Sequence, residues 1–181
     1  GAIDRPGANS EYHLVDERIV GRAPSTISDV EAAALPLTTL TAYEMLFDRL
    51  TVGNAVPGAA EAVLIIGGAG GVGSIAIQLA RALTNLTVIA TASRPETQSW
   101  VRALGAHHVI DHRAPLPPQI QALQIGAPAF VFSTNATDRY VGQVAELIAP
   151  QGRFGLIDDP TGFDIAPLKA KSLSLHWEFM Y

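Results

Sequence analysis

Two textures of hydrophobic and polar residues divide the chain. Short apolar runs at Ala62–Gly67, Leu86–Ala92, His107–Ile110, Ala129–Ser133 and Arg153–Ile157 predict strands. Between them, stretches whose apolar residues return every three or four positions predict helices over Gly71–Leu83, Pro95–Leu104, Pro118–Leu123 and Asp138–Ile148. Ser172–Phe179, with Leu173, Leu175, Trp177 and Phe179 at alternate positions, predicts a last strand. Strands that are apolar on both faces and alternate with helices imply an α/β fold, a doubly wound parallel sheet in three layers.

The earlier residues read differently. Gly1–Arg22 alternates strand-forming and turn residues, as a small hairpin would. Ser28 followed by Glu31 and an alanine run is a capping-box start for a short helix ended by Pro36. A second helix is expected over Leu37–Leu50, where Leu40, Tyr43, Met45, Leu46, Phe47 and Leu50 recur at helical spacing. Thr51–Glu61, with Gly53, Asn54, Pro57 and Gly58, reads as loop or linker.

Composition narrows the function classes. At 181 residues, 48% hydrophobic and 16% charged, the chain can bury a core of ordinary size and is expected to be a soluble globular domain. Twelve basic against 17 acidic side chains, a formal charge of -5, leave no electrostatic footprint for a nucleic acid or an anionic membrane. The absence of cysteine excludes disulfides, thiol chemistry and thiolate-ligated metal centres built from this chain alone. No apolar run approaches the roughly 20 residues that span a bilayer. Gly1–Pro6 lacks the basic-then-apolar pattern of a signal peptide, and a cytoplasmic location is expected.

The candidate chemistry lies at the first strand-to-helix junction. Gly68-Ala69-Gly70-Gly71-Val72-Gly73 fits G-x-G-x-x-G, follows the strand Val63–Ile66 and opens a helix, the context that a dinucleotide-binding turn requires. The first glycine permits a tight turn, the second lets a pyrophosphate approach the backbone, and the third brings helix and sheet together. Free N–H groups and the positive end of the helix dipole then hold phosphate without a basic side chain, which reconciles an acidic protein with an anionic ligand. A glycine-rich turn without ligand is the plain alternative. A Walker-type loop is excluded, because no lysine precedes Lys169.

The second strand runs into Ser93-Arg94-Pro95, where an NAD-binding chain would place an acid for the ribose hydroxyls. A hydroxyl and a guanidinium suit a 2′-phosphate instead, so NADP(H) is the expected cofactor. An arginine solvated at a loop and neutralised by Glu96 is the competing reading.

Three blocks, Glu31–Tyr43, Gly68–Ala80 and Leu104-Gly105-Ala106 with Val109-Ile110-Asp111, together with Gly152-Arg153-Phe154-Gly155, resemble the medium-chain dehydrogenase/reductase superfamily in its quinone-oxidoreductase-like, zinc-type alcohol dehydrogenase-like branch. The resemblance implies a Rossmann-type nucleotide-binding domain over residues 25–181 and, in residues 1–24, the tail of a GroES-like catalytic domain. It further implies that the body of that domain precedes Gly1 and a returning helix follows Tyr181, so the chain is expected to be a fragment. Carried over residue by residue, Thr41 would contact the nicotinamide end and Val72 would pack beside the nicotinamide. Gly68, Ala69, Gly70, Gly71 and Gly73 would hold the pyrophosphate. Ser93 and Arg94 would face the 2′-phosphate, His112 the adenosine, and Ser133 and Thr134 the nicotinamide ribose. Thr97 stands where relatives commonly have lysine. Zinc-dependent members carry a cysteine where Leu37 stands, and an alkyl side chain cannot ligate zinc, so no metal is expected.

The resemblance thus implies an NADPH-dependent oxidoreductase acting on a small electrophile, a quinone, enone or carbonyl compound. No catalytic residue is assigned in this chain. A homodimer joined through the last strand is the expected partner arrangement. A non-catalytic NADP(H)-binding sensor or scaffold is the rival reading, and an S-adenosylmethionine-dependent methyltransferase lacks its expected acid after the second strand. His107 and His108 are adjacent strand residues facing opposite ways and are not expected to converge on one ion, with His108 the more exposed. His13 reads as a surface strand residue and His176 as an outward or interface residue; Asp158-Asp159-Pro160 reads as a turn after the fifth strand, at the carboxyl ends of the strands where a cofactor can lie near, and Ser74 as a helix-start residue touching phosphate.

Overall fold

The computed structural model of the chain describes Gly7 and residues 10–179. Its strands are β1 (Ala60–Ile66), β2 (Thr87–Thr91), β3 (His108–Ile110), β4 (Pro128–Ser133), β5 (Arg153–Leu156) and β6 (Ser174–Trp177). Its helices are α1 (Asp29–Ala33), α2 (Pro36–Tyr43), α3 (Gly71–Leu83), α4 (Pro95–Ala103), α5 (Leu116–Ala122) and α6 (Thr137–Leu147), with a 3-10 segment at Ala166–Lys171. All strand pairs are parallel, in the order β3-β2-β1-β4-β5-β6. The chain therefore leaves β1 on one side toward β2 and returns on its other side as β4. That reversal opens a crevice at the carboxyl ends of β1 and β4, where doubly wound folds bind ligands.

Side-chain alternation explains why helices cover both faces. Along β1, Val63 and Ile65 enter one core, and Leu64 and Ile66 enter the other. The first core packs Met45, Leu46, Leu50, Ala76, Ile77 and Ala80 against Phe130 and Phe132. The second brings Leu116, Ile120, Val144 and Leu147 against Val131 and Phe154. Each such fully buried aliphatic or aromatic side chain contributes about 1.5–3 kcal/mol relative to exposure.

The predicted elements after Ser28 are present with slightly shifted ends, and four details differ. Residues 10–22 form no hairpin: a short 3-10 turn at Glu17–Ile19 interrupts an exposed segment. Among the described residues, its alternating apolar side chains, Tyr12 and Leu14 included, meet neither a partner strand nor a core. Gly1–Pro6, Ala8 and Asn9 lie outside the described residues.

The second helix widens after α2 into π-helical turns over Glu44–Arg49. This segment lays Met45 over Gly155 of β5, where any Cβ would overlap the thioether sulfur. Of loop or linker, Thr51–Glu61 is a loop packed on the core, with Val52 and Val56 buried, and it is shorter than expected because Ala60 already begins β1. Arg153 holds this loop by donating from Nη1 to the carbonyls of Leu50, Thr51 and Asn54, each at 3.0 Å, while its guanidinium lies 5.4 Å from the Phe130 ring centre. His107, rather than His108, is the more exposed of the pair, and its Nδ1 accepts the Val88 amide at 2.9 Å. Past β6, the buried Glu178 pairs with Arg49 at 2.8 Å.

Candidate functional site

The glycine turn is built by steric exclusion. Gly67, at the end of β1, has φ +81° and hands its amide proton to the Thr91 hydroxyl at 2.9 Å. A side chain there would collide with Thr134 and Asn135 as well as adopt an unfavourable backbone conformation. The tight turn therefore falls to Gly67, immediately before the motif, and not to Gly68. Gly68 instead lies against β2, where a Cβ would come within 2.8 Å of the Ala90 Cβ. Gly73 faces the Gly67 carbonyl so closely that a Cβ would overlap it, which brings helix and strand together as the sequence predicts.

Gly70 caps α3, and Ser74 is the first amide in it to bond back, to the Gly70 carbonyl at 2.8 Å. The amides of Gly71, Val72 and Gly73 are left at the positive end of a 13-residue helix. They open on a cleft of about 660 Å³ lined by Gly67, Ala69, Gly70, Gly71, Val72, Thr91, Ala92, Ser93, Arg94, Thr97, His112, Thr134, Asn135 and Ile157. No carboxylate is among these lining residues, and Arg94 supplies the permanent positive charge. The arrangement suits a long anion that runs from the helix start toward the end of β2. A second cavity of about 310 Å³, around Phe47, Val56 and Leu86, lies at the opposite ends of the strands and shares no residue with the cleft.

Of the residues singled out from the sequence, Ala69, Gly70, Gly71, Val72, Ser93, Arg94, His112 and Thr134 line the cleft together. Gly68 and Gly73 shape it from behind. Thr134 fastens the far wall by donating its hydroxyl to the Ile66 carbonyl at 2.9 Å. Thr41 and Ser133 are not part of the lining. The Thr41 hydroxyl bonds the Leu37 carbonyl of its own helix at 2.9 Å, and Ser133 is fully buried, with its Oγ 2.7 Å from the Thr137 hydroxyl.

Ser74 lies in the first turns of α3 as expected and has a further partner. It is buried, and its Oγ accepts the Trp100 indole N–H at 2.9 Å, tying α4 to the start of α3. Asp158 does more than sit in a turn: its Oδ2 accepts the Thr137 amide at 2.9 Å and its Oδ1 the Thr137 hydroxyl. This clamp fixes the loop that carries Thr134 and Asn135, including Ala136 at φ +52°. Gly67, Thr91, Asn135 and Ile157 escaped the sequence reading. The Gly67-Gly68 doublet was the available signal for the first, since only one of two adjacent glycines can make the turn.

At the β2 and β3 ends, Asp111 is held well below the ordinary carboxylate range, at about 2, first by hydrogen bonds from the Arg113 side chain and then from its amide. Just before β3, the imidazole of the exposed His107 is shifted down from 6.5, first by partial desolvation of its ring and then by the Arg81 charge.

Comparison with known proteins agrees with this geometry. A zinc-type alcohol dehydrogenase-like protein of Staphylococcus aureus is 43% identical over 186 aligned positions, covering 100% of this chain and 54% of its own length. The chain thus spans about half the length of the curated relatives it matches. A crystal structure from Rhizobium etli, proposed to be a zinc-dependent alcohol dehydrogenase, superposes with TM-score 0.96 at 66% identity, covering 99% of this chain and 52% of that one. An NAD-dependent alcohol dehydrogenase matches with TM-score 0.82 at 31% identity over 96% of this chain and 50% of its own. The quinone oxidoreductase of Thermus thermophilus, solved also in complex with NADPH, matches with TM-score 0.68 at 29% identity over 87% of this chain and 48% of its own. The sequence model of the family described as zinc-binding dehydrogenase matches residues 71–181. With its sheet order, its glycine turn and these matches, the chain belongs to the zinc-binding dehydrogenase family of the medium-chain dehydrogenase/reductase superfamily.

Proposed function

We propose that this chain is the cofactor-binding domain of an NADPH-dependent, zinc-independent oxidoreductase that reduces a quinone, an enone or a related carbonyl compound. The observation that carries the reading is the cleft lining: helix-start amides at one end, Ser93 and Arg94 at the other, and no carboxylate between them. An acid at the end of β2 would favour the free ribose hydroxyls of NAD, and its replacement by a hydroxyl and a guanidinium favours a phosphate there.

The nicotinamide cofactor, when bound, supplies the hydride. The chain's own residues do the rest by placement. Gly70, Gly71 and Val72 offer amides to the pyrophosphate, Ser93 and Arg94 bind the adenosine phosphate, and His112 lies beside the adenosine. Val72, Thr134 and Asn135 line the nicotinamide end and keep water from that surface. Leu37 offers no donor atom to a metal, which supports zinc independence. Residues 1–24 fit the tail of a GroES-like domain, and β6 fits a two-fold pairing with a second subunit.

Titration of the chain with NADPH and NADH side by side tests the cofactor reading. NADPH is expected to bind at least about tenfold more tightly, the scale of one charge-assisted phosphate contact. Tighter NADH binding would remove the role given to Ser93 and Arg94. The enzymatic reading is tested on the full-length protein. Failure to oxidise NADPH with quinones, enones and aldehydes alike would overturn it.

A further inference from the structure

Arg113 follows β3, lies outside the residues that line the cleft, and is two-thirds exposed, yet it is held on several sides. Its Nη2 donates to the Ser93 carbonyl at 3.0 Å, joining the loop after β3 to the loop after β2. Its Nε and Nη2 also grip the Asp111 carboxylate, the shortest of these bonds at 2.6 Å. The turn that carries it is fixed independently: Gln119 accepts the Asp111 amide through Oε1 and donates to the Asp111 carbonyl through Nε2, both at 2.8 Å. An exposed ion pair of this kind adds little to stability, so its consequence is geometric and electrostatic.

Both consequences fall on the adenosine end of the cleft. Ser93 and Arg94 are the residues proposed to meet the cofactor phosphate, and the Ser93 carbonyl is where Arg113 takes hold. Thr97 fixes the next residue from the other side, exchanging bonds with the Arg94 amide and carbonyl. Among the described residues, the Arg94 guanidinium has no hydrogen-bond or ion-pair partner and is free to take an anion. Asp111 stands one residue from the cleft-lining His112, and its carboxylate would repel a phosphate there if Arg113 did not cover it.

We infer that Arg113 is a positioning residue for cofactor specificity: it pins the Ser93–Arg94 backbone for a ribose 2′-phosphate and masks the Asp111 carboxylate that would otherwise repel that phosphate. The inference rests on the NADP(H) reading and extends it to a residue on a different loop. Its prediction is selective, because pyrophosphate and nicotinamide contacts lie elsewhere.

The test compares 2′,5′-ADP with 5′-AMP as probes by calorimetry, on the chain itself and on its Arg113→Gln and Arg113→Glu forms, with melting curves of each. Arg113→Gln is expected to weaken 2′,5′-ADP about tenfold and Arg113→Glu further, while 5′-AMP changes less than about twofold and the melting midpoint holds. Equal losses for both probes, or an unchanged ratio in the charge-reversed form, would overturn the inference. Should the unaltered chain bind the two probes equally, the NADP(H) reading itself fails, an outcome separate from either of these.

Discussion

Asp111 shows how an exposed residue can still be set by its neighbours. The Arg113 guanidinium and amide stabilise the carboxylate, so its proton leaves at about 2 rather than at the ordinary 3.8. Because the folded value is the lower one, the stabilisation is complete above the unfolded value and is lost as pH falls from near 3.8 through about 2. A carboxylate-resolved NMR titration is expected to place the Asp111 midpoint near 2, and Arg113→Gln to return it toward 3.8. An unmoved midpoint would mean that the fork does not persist in solution. At this scale residue types could be read from the chain, but their partners could not. The place of Ser93 and Arg94 in the cleft lining was legible because it follows from their position after the second strand. The hold of Arg113 on the Ser93 carbonyl was not, since it crosses 20 positions of sequence between two loops. The bond between Ser74 and Trp100 is hidden for the same reason, since Trp100 belongs to another helix.

The elements were legible wherever periodicity had a single cause. β1 and β4 are buried on both faces, so their apolar runs could mean only interior strands. The capping box at Ser28 formed as written, with the Ser28 amide 2.9 Å from the Glu31 carboxylate. The π-helical turns at Glu44–Arg49 left no such mark, because widening a helix changes its bonds without changing which residues are apolar. The exposed hairpin that did not form marks the opposite limit: alternation predicts a strand only where a sheet edge is waiting.

Gly73 tests the turn between β1 and α3. Its missing side chain lets α3 approach the Gly67 carbonyl, so Gly73→Ala must push helix from strand. That substitution is expected to cost about 1–3 kcal/mol in denaturant unfolding and to abolish detectable NADPH binding by the chain. Gly53→Ala, where a side chain would meet nothing within 4 Å, serves as the control and is expected to leave binding intact.

Over the whole molecule, the sheet has two edges of different character. β3 has three residues and β6 four, but β6 presents Trp177, 55% exposed, beside Ile165, also 55% exposed. An edge that leaves large apolar side chains exposed invites pairing. Sedimentation equilibrium is expected to give a dimer, and Trp177→Lys to shift it toward monomer. A monomer at all concentrations for the unaltered chain would dismiss pairing through β6. The layer order and the position of the cleft were both legible in advance, since a glycine turn after the first strand of such a sheet must lie where the topology reverses. The depth of the cleft was not, because Asn135 and Ile157 reach it from loops that carry no motif.

The exposed segment before Ser28 has a practical consequence. A protease needs an extended stretch that it can draw into its own active site, and residues 10–27 have no buried side chain to oppose this. Brief trypsin digestion is expected to cut after Arg18 and Arg22 well before Arg81 or Arg153. The product, trimmed close to the capped start of α1, should keep the melting transition of the intact chain and yield a compact core for crystallisation trials.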